Sequence, residues 1–365
     1  MLSLLPDTWR FVLSILIALL IGWYIRIPIF KLAIRKNFVD RPNNRSSHIG
    51  CVPNIGGIIV FLSFVVSCTL FMQFDTFYEL QYILLGAILI FIIGIYDDFV
   101  QISPRKKLKG EILGVLALIL GGDFYLDNLS GLFGMGYIYS WAGIILSFIA
   151  LIGLINAINL LDGIDGLSSG VALCDSLFFG ICLYKVGYLE YALLCFILAA
   201  SIFPFFLINL FGNRSKMFMG DSGALMVGFL LGVMAIKMGK IDIIEWKANG
   251  YFAIPALIFS VLAVPILDTL RLFVSRWMRG FSPFKADKSH LHHKLLIIYD
   301  GVHMKATFTI LVLNLMFICL GVIGQKMSNE LLILLDIVLF SLMFYIINEL
   351  AKRKLAARND SPVKS

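Results

Sequence analysis

The sequence predicts an all-α fold, a polytopic membrane helix bundle of about eleven transmembrane helices with its polar loops on the cytoplasmic side. Composition is the first reason: 60% of the 365 residues are hydrophobic and 15% are charged, whereas a soluble domain is about 25% charged. Periodicity is the second reason, because many segments are apolar on every face and long enough to cross a bilayer. A membrane β-barrel would instead show short segments of alternating polarity.

Charged residues and clusters of Gly, Pro and Asn separate the apolar stretches that we predict to span the membrane. The first stretch has no basic leader and no small-residue cleavage site, so we expect it to be retained as a span. The fourth is the least apolar, because Lys109 and Glu111 lie near its start. The predicted spans are 8–30, 53–73, 80–96, 107–122, 140–156, 170–187, 190–210, 222–239, 250–268, 306–325 and 331–350.

The positions of Lys and Arg predict the orientation of the bundle. With the N-terminus outside, the inner loops and the C-terminal tail hold 24 of the 30 Lys and Arg residues, in agreement with the positive-inside rule. We therefore predict an external N-terminus and a cytoplasmic C-terminus. The net charge of +7 is explained by basic loops that face anionic lipid, so it does not indicate a nucleic-acid partner.

The chain is predicted to form one integral-membrane domain, residues 1–350, followed by a basic cytoplasmic tail, residues 351–365. No internal repeat, low-complexity tract or long linker divides it. The six cysteines are scattered through apolar stretches without metal-ligand spacing. We interpret them as small core residues.

Two inner loops carry groups suited to phosphate chemistry. The first, "DRPNNRSSHIG", contains Arg45 and His48, which would suit a diphosphate or simply form a solvated basic turn. The second begins with Asp97 and Asp98 at the end of an apolar helix. Two adjacent carboxylates at a membrane boundary repel each other and lose solvation, which favours a bound cation or a proton transfer over a solvated acid pair.

The third loop, "NAINLLDGIDGLSSG", concentrates amides and carboxylates in an apolar chain. Asn159 and Asp162 share a helical face by their spacing, and Asp165 follows where Gly residues release the backbone. Amide and carboxylate oxygens are the ligands that Mg²⁺ prefers. A helix C-cap with a turn would explain one Asn and one Gly, but not both acids.

The fourth loop, "NLFGNRSKMFMGDSGALMVG", places Asp221 just before an apolar helix resumes. Asp221 is a candidate N-cap, and a cap residue also has an oxygen available for a metal. Phe218 is either a stacking platform for a planar ring or a core aromatic.

The fifth loop is the longest and contains His290, His292 and His293 in the motif "HLHH". This motif is a weak signal for zinc, because zinc ligands usually come from several segments and no Cys lies nearby. Anion binding at the membrane face is an equal alternative. Acids, amides, His and Arg on five loops of one membrane face predict phosphoryl transfer on a lipid substrate. A cation-coupled transporter would instead place polar residues near the bilayer midplane and show a repeat.

These motifs resemble the polyprenyl-phosphate N-acetylhexosamine-1-phosphate transferases, also called glycosyltransferase family 4. The matching stretches occur in family order between about residues 40 and 300 and are "DRPNNRSSHIGCVPNIGG", "GIYDDF", "NAINLLDGIDGL", "MFMGDSGALMVG" and "FSPFKADKSHLHH". The "HLHH" motif is similar to the WecA and TagO branch, whereas the MraY branch typically has three consecutive His residues. The resemblance therefore favours a UDP-GlcNAc-type donor, with an MraY-like phospho-MurNAc-pentapeptide transferase as the alternative.

The resemblance implies transfer of HexNAc-1-phosphate from a UDP-sugar to undecaprenyl phosphate in the bacterial inner membrane, with a cytoplasmic active site and release of UMP. It implies Mg²⁺ as the cofactor, with Mn²⁺ as a substitute. Asp221 and Asn159 would bind the metal, and Asp97 or Asp98 would act as the base. The implied substrate-binding residues are Arg45, His48, Asp162, Asp165, Asn209, Phe218, His290, His292 and His293.

Asn209 is the least supported of these residues, because "GNRSKMFMGD" lacks the Pro-Ala pair that family members often carry before the Gly-Asp motif. The resemblance leaves open which UDP-HexNAc is used and whether transfer takes one step or two. It also leaves open whether the product feeds lipopolysaccharide O-antigen, capsule or teichoic acid. The oligomeric state is open as well, with a homodimer as one option.

Overall fold

The computed structural model describes residues 6–36, 39–40, 52–212, 216–280 and 289–359. Within these ranges the fold is all-α apart from a short pairing of β1 (Val39–Asp40) with β2 (Val52–Pro53) and an isolated antiparallel bridge between Asn128 and Tyr137. The helices are α1 (Asp7–Arg35), α2 (Gly57–Phe71), α3 (Leu80–Val100), α4 (Pro104–Leu116), α5 (Ser140–Leu161), α6 (Leu167–Val186), α7 (Leu189–Phe211), α8 (Gly220–Lys240), α9 (Ile243–Ala248), α10 (Ile254–Val261), α11 (Ala263–Met278), α12 (Leu291–Ile298), α13 (His303–Ile323) and α14 (Asn329–Asn359). The predicted fold class is confirmed.

Eight helices in the described ranges are long and apolar enough to cross a membrane, and the count is nine if α10 and α11 form one broken span. The chain is therefore a multi-pass membrane protein. All eleven predicted spans coincide with helical segments, but α2 has only 15 residues and α4 only 13. The count of eleven spans stays a prediction.

Helix α8 lies at the centre of the bundle, because 89% of its apolar 18-residue stretch is buried. Its sequence is rich in small residues, which let neighbouring backbones approach closely. A Cβ atom on Gly228 would lie 2.8 Å from the Cα atom of Ile155 on α5. Helix α3 packs against α8 in the same way through Gly94. The helices that carry the predicted acids are therefore neighbours in the bundle.

The predicted span 250–268 is not a single straight helix. Helices α10 and α11 meet at an angle of 78°, and Pro265 lies in the first turn of α11. Proline lacks an N–H and its ring disfavours a continuous helix through this point, which is consistent with the break. Helix α11 continues to Met278, ten residues past the predicted end of the span, in a segment that was predicted to be a loop.

The two ends of α8 define opposite faces of the bundle. At its C-terminal end, Lys240 Nζ lies 3.5 Å from the carbonyl oxygen of Asp123, in the connection that precedes α5. Asp221 lies at the other end of α8. Helix α14 continues to Asn359, so the predicted tail begins inside this last helix.

Candidate active site

The described parts of the predicted polar loops meet at the end of the bundle where α8 begins. Helix α3 ends there, and α5 and α6 are joined by the turn that contains Asp162 and Asp165. Contact between α3 and α8 is tight, because a Cβ atom on Gly94 would lie 2.5 Å from Ser222 Cα. This approach brings the last turn of α3, with Asp97 and Asp98, onto the first turn of α8.

Asp98 caps α8. Its Oδ1 atom accepts hydrogen bonds from the backbone N–H of Asp221 at 2.8 Å and from Asn54 Nδ2 at 3.2 Å. Its Oδ2 atom accepts one from the backbone N–H of Ser222 at 3.0 Å. The first N–H groups of a helix lack partners within the helix, and a negative charge there complements the helix dipole. Both oxygens of Asp98 are therefore engaged in positioning Asp221.

Asp97 faces a different environment. Its Oδ1 atom accepts a hydrogen bond from the backbone N–H of Ile102 at 2.8 Å. Lys107 Nζ lies 3.4 Å from Asp97 Oδ2 and 2.7 Å from Asp221 Oδ1. The Asn159 side chain is within hydrogen-bonding reach of the Asp221 carboxylate. Lys107 therefore bridges Asp97 and Asp221, and Asn159 joins them through Asp221. We call Asp97, Asp221 and Asn159 the acid cluster.

Asn156 does not join the acid cluster. Its Nδ2 atom donates to Glu111 Oε2 at 2.6 Å and to the carbonyl oxygen of Ile152 at 2.9 Å. Glu111 is 1% exposed and lies one helical turn after Lys107 on α4. The Glu111–Asn156 pair therefore links α4 to α5 behind the cluster and fixes the face on which Lys107 projects.

Asp162 follows the last residue of α5 and begins the turn to α6. In this turn Gly166, which directly precedes α6, has a φ of 72°. Its Oδ1 atom accepts a hydrogen bond from Ser168 Oγ at 2.5 Å. Burial raises the pKa of Asp162 to about 6, and the negative charge of Asp221 acts in the same direction. Asp162 is therefore electrostatically coupled to the acid cluster.

Asp165 is buried and contacts side chains from two other segments. Its Oδ2 atom lies 2.5 Å from Lys216 Nζ and 2.7 Å from His303 Nδ1. Its carbonyl oxygen accepts a hydrogen bond from Thr307 Oγ1 at 2.6 Å. Burial acts to raise the pKa of Asp165, but hydrogen bonds and charges from His303 and Lys216 outweigh it and hold the pKa below its usual value. Asp165 thus joins the α5–α6 turn to the start of α13.

Asn209 and Phe218 both lie where backbone segments meet. The Asn209 side chain accepts a hydrogen bond from the backbone N–H of Gly166 and donates one to the carbonyl oxygen of Met217 at 2.7 Å. The backbone N–H of Phe218 donates to the carbonyl oxygen of Pro53 at 2.8 Å. The contacts of Asn209 tie the α5–α6 turn to the segment before α8.

The "HLHH" histidines lie at the start of α12, where Asp268 from α11 organises them. Asp268 Oδ2 lies 2.8 Å from His290 Nδ1, and Asp268 Oδ1 accepts a hydrogen bond from the backbone N–H of Leu291 at 3.1 Å. The ring centroids of His292 and His293 are 4.3 Å apart. The bend between α10 and α11 therefore brings an acid onto the first turn of α12.

His292 connects these histidines to the α5–α6 turn. A Cβ atom on Gly163 would lie 2.5 Å from His292 Nε2, so this position accommodates no larger side chain without a shift. His292 is 2% exposed. Burial, followed by electrostatic repulsion from His293 and His290, lowers the pKa of His292 well below its usual value. The imidazole is therefore neutral at pH 7.

The two candidate metal sites differ in chemistry. Within the part of the chain that the structure describes, no group of three or more His, Cys, Asp or Glu side chains has an arrangement that would hold a metal. For His290, the observed partner is Asp268. The acid cluster offers two carboxylates and an amide, and Mg²⁺ commonly binds through one or two carboxylates together with substrate phosphates. Its donor set therefore fits Mg²⁺.

Sequence reasoning missed several residues of this region. Lys107 and Lys216 were counted only as basic loop residues, although each contacts a predicted site acid. Asp268 was unassigned, although an acid close to an apolar span was a usable signal. Arg45 and His48, both predicted to contact substrate, lie outside the described residues.

Comparison with known proteins identifies similar sequences over most of the chain. The glycosyl transferase family 4 model matches residues 80–239. An undecaprenyl-phosphate alpha-N-acetylglucosaminyl 1-phosphate transferase of Yersinia pestis is 31% identical over 302 residues, covering 82% of this chain and 80% of the relative. Proteins of the same name from Haemophilus influenzae and Escherichia coli K12 are 33% and 30% identical, covering 86% and 88% of this chain and 86% of each relative.

Proposed function

The chain belongs to glycosyl transferase family 4, and from this premise we propose that it transfers N-acetylglucosamine-1-phosphate from UDP-N-acetylglucosamine to undecaprenyl phosphate. The observation that carries the proposal is the similarity to relatives named for this lipid and this sugar over more than four fifths of the chain. The acid cluster adds a chemical reason, because it gathers hard oxygen donors at one end of a membrane bundle.

The reaction is a substitution at phosphorus. A phosphate oxygen of undecaprenyl phosphate attacks the sugar-bearing phosphorus of the nucleotide sugar, a new P–O bond forms, and the bond to the UMP oxygen breaks. Catalysis of such a step consists mainly of positioning and charge neutralisation. The polyprenyl tail remains in the bilayer, so the reacting phosphate must meet the nucleotide at the membrane face that holds the acid cluster.

We assign the metal to the acid cluster, with Asp221 and Asn159 as ligands. Bound Mg²⁺, or Mn²⁺ in its place, would neutralise the diphosphate and polarise the phosphorus under attack. Lys107 contacts the carboxylates of Asp97 and Asp221, so it balances their charge when no metal or substrate is bound. Phosphate oxygens of the substrate would provide a further partner for its ammonium group.

Asp97 is the better candidate for the base. Both oxygens of Asp98 accept hydrogen bonds that hold α8, whereas Asp97 Oδ2 faces Lys107 and Asp221. Asp97 would remove a proton from, or orient, the attacking phosphate oxygen. Asp98 would act through the position of Asp221.

The remaining predicted residues are candidates for supporting the metal and binding the substrates. Asp162 would support the metal, since Asp221 influences its pKa. Asp165 and the neutral imidazole of His292 would contact the nucleotide sugar, and Phe218 would stack on uracil. We retain Arg45, His48, Asn209, His290 and His293 as candidate substrate contacts. Orientation by the positive-inside rule would place this site at the cytoplasmic face.

A transfer assay tests the proposal. Membranes containing the protein are incubated with radiolabelled UDP-N-acetylglucosamine, undecaprenyl phosphate and Mg²⁺, and label in the organic phase and UMP are measured. We expect both products, their loss with EDTA, and no comparable product from UDP-MurNAc-pentapeptide. Asp221→Ala should abolish transfer. Asp127→Ala should not, because Asp127 lies in the connection before α5, with its Oδ2 atom 3.9 Å from Lys240 Nζ at the opposite end of α8. Full activity of Asp221→Ala would overturn the metal assignment.

A further inference from the structure

A cavity of about 360 Å³ lies between α11, α12 and α14, apart from the acid cluster. Its walls carry cations, hydroxyl groups, one amide and one aromatic ring. No carboxylate is among the described residues that line it. The lining residues are Arg271, Ser275, Arg279, Ser289, Lys294, Ser341, Phe344 and Asn348.

The cavity is positively charged. Arg271 Nη2 lies 2.9 Å from Asp268 Oδ1, but Asp268 is shared with His290. In the described ranges, neither Arg279 nor Lys294 has a carboxylate within 4.0 Å. Three cations against one shared acid favour an anionic ligand.

Arg271 is held in place before any ligand arrives. Its guanidinium carbon lies 3.6 Å from the ring centroid of Phe344, and its Nη2 atom donates to the carbonyl oxygen of Ser289 at 2.8 Å. Among the described residues, its Nε atom is buried without a hydrogen-bond partner, which is a costly arrangement for a donor. Planar guanidinium groups are well suited to phosphate.

The surroundings of the cavity face lipid. On α11, Trp277 is 76% exposed and Met278 is 78% exposed, and on α14, Leu342 and Tyr345 are 53% and 63% exposed. In a membrane protein such apolar surface is covered by acyl chains, and Trp and Tyr favour the headgroup level. Phe344 lies about 22 Å along α14 from its start at a rise of roughly 1.5 Å per residue, which is close to one edge of a hydrocarbon layer about 30 Å thick.

We propose that this cavity binds the phosphate headgroup of an anionic bilayer phospholipid. Arg271, Arg279 and Lys294 would neutralise the phosphate, and the serine hydroxyls with Asn348 would donate hydrogen bonds to its oxygens. The acyl chains would lie along the apolar surface of α11 and α14. Basic pockets between membrane helices commonly recognise lipid headgroups in this way.

Lipid binding to the full-length protein in neutral detergent tests the proposal. Phosphatidylglycerol and phosphatidylcholine are titrated separately, and bound lipid is counted by native mass spectrometry. We expect phosphatidylglycerol to bind more tightly, and Arg279→Gln with Lys294→Gln to weaken its binding about tenfold or more, since each basic residue contributes roughly 1 kcal/mol near a lipid surface. The matched control is Lys352→Gln, because the Lys352 side chain is 64% exposed and its ammonium pairs only with Glu349 among the described residues.

Two further variants separate lost binding from lost folding. Ser341→Phe fills the cavity without changing charge and should also weaken phosphatidylglycerol binding, whereas Arg279→Lys with Lys294→Arg should retain it. Equal weakening by Lys352→Gln would overturn the proposal. So would equal affinity for phosphatidylcholine, full displacement of the lipid by millimolar inorganic phosphate, or selective binding of undecaprenyl phosphate in its place.

Discussion

At the scale of single residues, Asp97 and Asp98 are adjacent in sequence but have different roles in the structure. Asp98 accepts backbone N–H groups of Asp221 and Ser222, while Asp97 faces Lys107. The sequence predicted that the pair is functional, because adjacent acids at a helix end are unfavourable without a task. It could not separate them, because the separation depends on which side chain reaches α8.

Substituting each acid by its amide should separate the two roles. Asp97→Asn should lower kcat about 10²-fold or more, as loss of a base does, with little change in KM or thermal stability. Asp98→Asn presents an NH₂ group to a backbone N–H, so we expect it to lower the free energy of unfolding by about 1–3 kcal/mol as well as the rate. Initial rates and thermal unfolding in detergent measure both, and a normal rate for Asp97→Asn would exclude it as the base.

The pKa of Asp162 predicts a pH dependence of stability. The ordinary value is 3.8 and the folded value is about 6, so the folded state binds this proton more tightly than the unfolded state. Its contribution to stability is therefore largest below pH 4 and falls as the pH rises to 6, by at most about 3 kcal/mol. Asp162→Asn should remove this decline in metal-free buffer, measured by thermal unfolding between pH 4 and 7. An identical slope in the variant would contradict the assignment.

At the scale of helices, a buried polar pair joins α6 to α13. Asn314 Nδ2 donates to Asp175 Oδ1 at 2.8 Å, and both side chains are fully buried. Asp175 Oδ2 and Asn314 Oδ1 have no hydrogen-bond partner within the described part of the chain. The same face of α13 carries His303 and Thr307, which contact Asp165. The pair therefore holds α13 where it supports the α5–α6 turn.

This pair makes a testable contrast between two substitutions. Asp175→Asn supplies an NH₂ group that can donate to Asn314 Oδ1, so it should preserve stability and transfer activity. Asp175→Leu leaves the Asn314 amide without a partner and should lower the free energy of unfolding by about 1–2 kcal/mol. Thermal unfolding of both variants in detergent provides the comparison, and a loss with Asp175→Asn equal to that with Asp175→Leu would show that the hydrogen bond is not what matters.

Helix positions were more predictable from sequence than helix contacts. Long apolar stretches fix where spans occur, because the bilayer sets their length. Pro265 is a local signal for the break before α11, but the angle at the break and the entry of α11 into a predicted loop depend on packing against α12 and α14. For the same reason the link from Asp268 to His290 was missed, while the grouping of Asp221 with Asn159 was expected from composition and family motifs.

At the scale of the whole molecule, the structure defines two faces of the bundle. Asp221 and Lys240 lie at opposite ends of α8, and the segment between α4 and α5 lies at the Lys240 end. The positive-inside rule predicts that this end faces outward. Apolar composition predicted the membrane location, whereas orientation depends on loop charge and requires its own measurement.

Single cysteines introduced into a cysteine-free variant should report the orientation. Met135 lies at the Lys240 end and is exposed, so Met135→Cys is the probe for that face. Ser130 lies at the same end, but its side chain is buried. Met135→Cys should react with an impermeant maleimide in intact cells, and Lys352→Cys should react only after permeabilisation. The reverse pattern would invert the predicted topology. Transfer activity of each variant verifies that the fold is retained.

The cap that Asp98 makes on α8 affects how inactive alleles of this protein should be sorted. A genetic screen for lost glycan synthesis would score changes at Asp97 and Asp98 alike. On the proposed roles, a change at Asp97 would remove a reacting group from a protein that still accumulates normally, whereas a change at Asp98 would displace the start of α8 and expose the chain to quality control. Measuring how much of each variant protein accumulates in the membrane distinguishes a loss of catalysis from a failure to fold or assemble.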